Sequence, residues 1–164
     1  MKYQRSEFIE LSREALAKGD TIRMRVTGGS MYPFIRGDEV VHVRRAGPSE
    51  IRYADIVFTA DASGMSVIHR VLKIGVENNK TLFLTKGDAL PEADGYFAAE
   101  DILGKVAKVE KGNFVMNIDS GVFRSLNICY TVLMPLSRWF YILLLMPFGF
   151  TRSLLRRYHG SDGR

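Results

Sequence analysis

The chain has 164 residues, of which 46% are hydrophobic and 25% charged, which fits one ordinary domain plus a tail and excludes wholesale disorder. Its formal net charge of +5 would suit an anionic membrane surface or nucleic acid. The basic residues form no long run and accompany no zinc-finger or aromatic RNA-binding pattern, so nucleic acid is not expected as a partner. A single cysteine, Cys129, excludes an internal disulfide. No Cys/His cluster has metal-ligand spacing, so neither a metal nor another cofactor is expected.

The first residues, Met1-Lys2-Tyr3-Gln4-Arg5-Ser6-Glu7, are polar and carry no secretory signal pattern. From Ser6 to Lys18, Phe8, Leu11, Ala15 and Leu16 fall on one stripe, which predicts an amphipathic helix closed by Gly19 and Asp20. Residues 1–20 are assigned to that helix. The period then changes. Ile22, Met24 and Val26 alternate with Arg23 and Arg25, the pattern of a half-buried strand. Short β-rich runs follow at Val40–Val43, Asp55–Phe58, Val67–Leu72, Thr81–Leu84, Ile102–Val109 and Asn113–Ile118, with turn residues between most of them. The expected fold over 21–118 is mainly β, a coiled or barrel-like mixed sheet.

Residues 119–164 form a hydrophobic, basic-ended helical tail. Leu126 to Phe150 is mostly apolar, but Arg138 sits near its middle and Pro135 and Pro147 interrupt it. A central Arg costs about 2.5–3.5 kcal/mol on insertion scales, and a span needs roughly 20 apolar residues, so a plain crossing is disfavoured. An interfacial or re-entrant hairpin is expected instead. Tyr130, Trp139 and Tyr141 would lie at headgroup depth, with Arg152, Arg156 and Arg157 on anionic lipid. The plainer alternative is a pair of helices packed on the β core or on a second copy, which would leave the protein cytoplasmic. The sequence does not specify an oligomeric state.

Three segments carry possible chemistry. Ser30 stands in Gly28-Gly29-Ser30-Met31-Tyr32-Pro33, directly after the first strand. A serine among glycines at a strand end can be exposed beside free backbone N–H groups, which serves a nucleophile and an oxyanion hole, although such a run by itself is usually a flexible turn. His69 lies in a strand, and imidazole is the side chain best suited to take a hydroxyl proton near neutral pH. In Thr85-Lys86-Gly87-Asp88-Ala89-Leu90-Pro91-Glu92-Ala93-Asp94, either Asp88 or Asp94 could fix the tautomer of a histidine, or each could be an ordinary turn or solvated acid. His42 and His159 have no comparable setting and are read as surface residues.

Taken in order, Ser-Met-x-Pro, Arg-Gly-Asp, Ala-Asp-Ile-Val, His-Arg-Val, Thr-Lys-Gly-Asp and Ile-Leu-Gly-Lys-Val resemble the signal-peptidase-like serine peptidases, which include type I signal peptidases and self-cleaving repressor peptidases. The resemblance runs from about Met24 to Val109. It implies that family's complex β-fold and a serine endopeptidase that removes a leader or signal segment from a precursor protein. Many bacterial members use a Ser-Lys dyad. Here His69-Arg70-Val71 stands where the lysine would be, which is similar to the ER-type signal peptidases. The resemblance implies Ser30 as nucleophile, His69 as general base, and Asp88, Asp94 or both as its support. Lys86 matches the structural Lys-Gly-Asp box and not the dyad lysine. Gly28, Gly29, Met31 and Pro33 would form the oxyanion site and substrate groove.

Two departures stand out. Relatives often place a hydroxyl where this chain has Gly28, and losing such a donor costs about 10²–10³ in rate unless Thr27 or another backbone N–H replaces it. Signal peptidases also carry a membrane helix before the serine box, whereas here the apolar segment follows the peptidase region. Membrane association through that segment is expected, with the side open. The alternatives are a catalytically inactive relative that binds extended peptide or a partner protein, and a self-cleaving regulator.

Overall fold

The structure is a computed structural model that describes residues 2–60, 65–119 and 121–133. The chain divides into two compact units, Met1–Ile128 and Cys129–Arg164, and the first carries the features described below. It opens with helix α1 (Lys2–Ala17). Eight strands follow: β1 (Ile22–Arg25), β2 (Val40–Arg44), β3 (Ile56–Ala60), β4 (Ser66–Glu77), β5 (Lys80–Lys86), β6 (Gly95–Ala98), β7 (Ile102–Lys111) and β8 (Phe114–Asn117). Residues 121–133 are helical.

The strands form one curled, half-barrel sheet in the order β1-β2-β7-β3-β4-β5-β6, with β8 paired to β7. Every pairing among the described residues is antiparallel, so the mixed sheet expected from the strand pattern is corrected to an antiparallel one. Strands β4, β5 and β6 each lead back beside the strand before them, which needs only short connections and no parallel crossover. The β4–β5 hairpin shows the local cause. Asn78 and Asn79 take φ values of 49° and 63°, the left-handed conformation that a tight hairpin requires and asparagine tolerates.

Strand β3 lies between β7 and β4 and is buried along its whole length. Its two faces feed two apolar clusters. Ile56 and Phe58 pack with Val41, Val43, Val106 and Met31, while Val57 packs with Val71, Phe83 and Ile102. Successive side chains on a strand point to opposite faces, so a strand buried on both sides reads as a continuous apolar run.

Helix α1 covers the first cluster through Ile9, Ser12 and Leu16, whereas Phe8 and Leu11 are exposed. This corrects the stripe expected from the sequence. Residues 9, 12 and 16 share a helix face at the usual spacing, and the buried face is turned away from Leu11. Strand β6 had no strong sequence signal. It is four residues long, follows an acidic loop, and exists by pairing with β5. Strand β4 runs on to Glu77, beyond the expected end, because β5 supplies a partner for its whole second half. The last strand, β8, ends at Asn117, and the compact units divide after Ile128. Arg138, Trp139, Tyr141, the prolines of the tail, the terminal arginines and His159 lie outside the described residues. No helix among the described residues is long and apolar enough to cross a membrane.

Charge–charge contacts tie residues beyond the sheet to its strands. Lys105, almost fully buried on β7, reaches Asp55 at 3.2 Å and Asp119 at 2.5 Å, and Arg124 pairs with the same Asp55. Burial pushes the Asp119 carboxyl up, but hydrogen bonds from Lys105 and Arg44 outweigh it and hold the group below its ordinary value.

Leu16 is 2% exposed and Leu11 60%. Leu16→Ala should cost about 2–5 kcal/mol in denaturant unfolding, whereas Leu11→Ala should stay within about 0.5 kcal/mol. Equal effects would contradict the helix face described.

Candidate active site

Ser30 follows β1 on a tightly held turn. Val26 N–H donates to Glu39 and Asp38 N–H donates back to Val26, which closes the loop behind the serine. Further backbone bonds, Tyr32 to Gly29 at 3.0 Å and Ile35 to Met31 at 2.9 Å, fold residues 29–35 into successive turns. Met31 and Ile35 are fully buried and anchor those turns in the core. The expectation that Met31 lines a substrate groove is therefore corrected: at 1% exposure it is the anchor that holds Ser30 in place.

His69 sits on β4 opposite Val57, one residue before the pairing with β5 begins. Its Nε2 lies 3.0 Å from Ser30 Oγ and its Nδ1 lies 2.6 Å from Asp94 Oδ2. An ionised carboxylate only accepts, so Nδ1 carries the proton and donates it to Asp94. Nε2 is then the acceptor that faces the Ser30 hydroxyl. Asp94 is itself held in place: Thr85 Oγ1 donates to the same Oδ2 at 2.7 Å, and Asp94 N–H donates to Thr85 O at 2.9 Å. Histidine and aspartate side chains are largely buried, which strengthens their mutual interaction. Serine, histidine and aspartate thus form one hydrogen-bonded relay.

Asp88 does a different job. It receives Arg70 in a two-pronged pair, with both bonds at 2.7 Å and neither side chain exposed. The Arg70 guanidinium also lies over the Phe34 ring, 4.6 Å from its centroid. It further donates to Ala54 O and to Asn127 Oδ1, while Asn127 Nδ2 donates to Ala54 O at 2.9 Å. Arg70 therefore joins the serine loop through Phe34, the acid loop through Asp88 and the helical residues 121–128 through Asn127. Of the two acids that could support His69, Asp94 contacts it directly, and Asp88 fixes the loop between them.

Gly87 lies at the centre of that loop. A Cβ there would meet Ser30 O at 2.8 Å, the Leu90 side chain at 2.9 Å and His69 Nε2 at 3.0 Å. No other residue fits without displacing the relay. Next to it, Ala89 N–H donates to Ser30 O at 2.8 Å, which clamps the main chain of the serine. Lys86 pairs its backbone with Arg70 in the β4–β5 ladder.

Gly28 adopts φ of 94°, with open space where a side chain would be. Its backbone favours glycine, so a hydroxyl at this position would bring strain of about 1–2 kcal/mol. The Ser30 N–H donates to no acceptor among the described residues. A groove of about 490 Å³ opens beside Ser30, lined by β1, the start of β4, Phe8 and Phe58. Gly28, Gly29 and Pro33 are exposed but are not among its lining residues. No cluster of ligating side chains suited to a metal occurs among the described residues.

His42, expected on the surface, is half-buried and contacts Glu110 at 2.6 Å. Glu110 also receives both prongs of Arg23, at 2.8 and 2.7 Å. Hydrogen bonds from Arg23 and then His42 lower the Glu110 carboxyl to about 2.

Sequence reasoning named Ser30, His69 and Asp94 but missed Thr85, Arg70, Gly87 and Asn127. Gly87 and Arg70 stood inside the quoted boxes. Asn127 left no signal, because its role depends on where the helical residues 121–128 pack. Comparison of the chain with protein-family models finds none that matches it, and comparison with curated proteins finds no match either.

Asp88→Asn leaves the buried Arg70 charge without its partner and should destabilise the protein by about 3–5 kcal/mol. Asp94→Asn should cost far less in the same thermal melts, since Thr85 and His69 can still bond the amide. In a carboxyl titration by NMR, Glu110 should protonate near pH 2. Because its folded value is lowered, the stability it contributes is complete above its ordinary value of 4.5 and is lost as pH falls through about 2. A midpoint near 4.5 would mean that the Arg23–Glu110 pair does not form in solution.

Proposed function

We propose that this protein is a serine endopeptidase of the signal-peptidase-like class, which removes a leader or signal segment from a precursor protein. The observation that carries the reading is the relay from Ser30 Oγ through His69 to Asp94. It draws its members from separate strands and loops, and a merely structural histidine would not need a serine on one nitrogen and a carboxylate on the other. The curled antiparallel sheet is compatible with the complex β-fold of that class.

In the reaction, Ser30 Oγ attacks the peptide carbonyl as its proton passes to His69 Nε2. Asp94 holds the ring in the required tautomer and stabilises the imidazolium. The carbonyl oxygen becomes an oxyanion and takes the Ser30 N–H. As the C–N bond breaks, His69 returns the proton to the leaving amine and an acyl-serine remains. Water then attacks that ester, with His69 again taking the proton, and the acid is released with Ser30 restored. Neither a metal nor a cofactor enters this sequence. The tail from Leu126 onward is proposed to hold the enzyme at a membrane surface, where a precursor would be presented to it.

A fluorophosphonate-type probe tests the chemistry directly. Wild-type protein should be labelled at Ser30. Ser30→Ala and His69→Ala should abolish labelling, and Asp94→Asn should slow it by about 10³–10⁴. Normal processing of the cellular precursor by Ser30→Ala protein would overturn the reading. An inactive peptide-binding relative would give no labelling even in the wild type.

A further inference from the structure

Strand β1 is the end of the sheet and pairs only with β2 among the described residues. In β4, residues Ser66–His69 pair with β3 on one side, while β5 joins the other side only from Arg70 onward. The groove beside Ser30 is lined by both of these unpaired edges, Arg23–Thr27 and Ser66–Ile68. A strand residue fills roughly 3.4 by 4.8 by 10 Å, about 160 Å³, so the groove has room for about three residues of an extended peptide.

Its lining is chemically divided. Phe8, Met24, Phe58 and Ile68 supply apolar surface, and Phe8 packs on Phe58 with ring centroids 6.3 Å apart. Phe8 comes from α1, is 43% exposed and forms one wall of the groove. The charged lining residues are Arg23 and Arg25, and no acid is among the lining residues. Arg23 is neutralised by Glu110. Arg25 is exposed and donates to the backbone oxygen of Asp38, and among the described residues it has no carboxylate partner. Most of its N–H donors remain for a ligand. On β1, Met24 and Arg25 face opposite sides, so a strand laid along this edge meets apolar and cationic surface at alternate positions.

We propose that the groove selects an extended segment in which a large apolar side chain alternates with an acidic one. The apolar side chain packs on Phe8, Met24, Phe58 and Ile68, and the carboxylate pairs with Arg25. Phe8 and Arg25 are then the specificity-determining residues. The inference rests on reading Ser30 as the site where an extended peptide is cut.

Fluorescently labelled nonapeptides, bound to full-length Ser30→Ala protein and followed by anisotropy, test it without needing turnover. A peptide with Phe and Glu at adjacent positions should bind about tenfold tighter than its Phe-Lys counterpart at low salt, with the gap closing at high salt. Arg25→Glu should reverse that order. Phe8→Ala should remove about tenfold of the preference for Phe over Ala while leaving the charge preference intact. Equal binding of the Glu and Lys peptides, an unchanged order in Arg25→Glu, or no binding of any peptide would overturn the proposal. Thermal melts of Arg25→Glu should match the parent, since that side chain is exposed, and Phe8→Ala should melt slightly lower for the lost contact with Phe58 while staying folded. Loss of probe labelling with the charge preference retained would sink the peptidase reading alone.

Discussion

Arg70 carries a full positive charge with no solvent exposure, and a charge in that position must be matched where it stands. Asp88 matches it with two short bonds, the Phe34 ring covers it, and Ala54 and Asn127 accept from its Nη1. Each of these partners belongs to a different segment. Satisfying one guanidinium therefore fixes the serine loop, the acid loop and the first residues of the C-terminal helix against the same strand. A pair of this kind adds little net stability compared with apolar packing, but losing one partner is costly, so it enforces a single arrangement.

The relay depends on that arrangement. His69 is the neighbour of Arg70 on β4, so the strand that positions the charge also positions the base. Asp88 holds the loop whose glycine touches His69 and Ser30, and whose Ala89 N–H grips the serine carbonyl. Thr85 and Asp94, at either end of the same stretch, complete the support behind the imidazole. Short contacts at Ser30 and His69 thus come from rigid elements and not from the glycine-rich turn itself, which would otherwise move freely.

The groove and the relay share strands. β1 ends at the turn that bears Ser30, and β4 carries Ile68 into the groove and His69 into the relay. A peptide paired to these edges would be delivered to the hydroxyl in register. Helix α1, which closes the apolar core with Ile9 and Leu16, leaves Phe8 over the same groove. One element therefore contributes both to the core and to the wall of the groove, through neighbouring positions on one side of the helix.

Much of this was legible in the residues. Alternation located β1, short β-rich runs between turns located six more of the eight described strands, and the Gly-Gly-Ser, His-Arg and Thr85–Asp94 segments contained the relay, because local periodicity and turn chemistry act over a few neighbours. The division of labour between Asp88 and Asp94 was not, since both acids sit in one loop and only the packing shows which one faces His69. The helix face was misjudged for a related reason: Phe8 and Leu11 are as apolar as Ile9, and only the sheet beneath α1 selects among them. Met31, expected in a groove, lies in the core, because only the packing of the turn decides which of its side chains is buried. Sequence alone thus determined the strands, the turns and the reactive residue types. Only the tertiary structure decided which groups meet, because burial of the Arg70 charge and closure of the sheet are long-range conditions that no local pattern encodes.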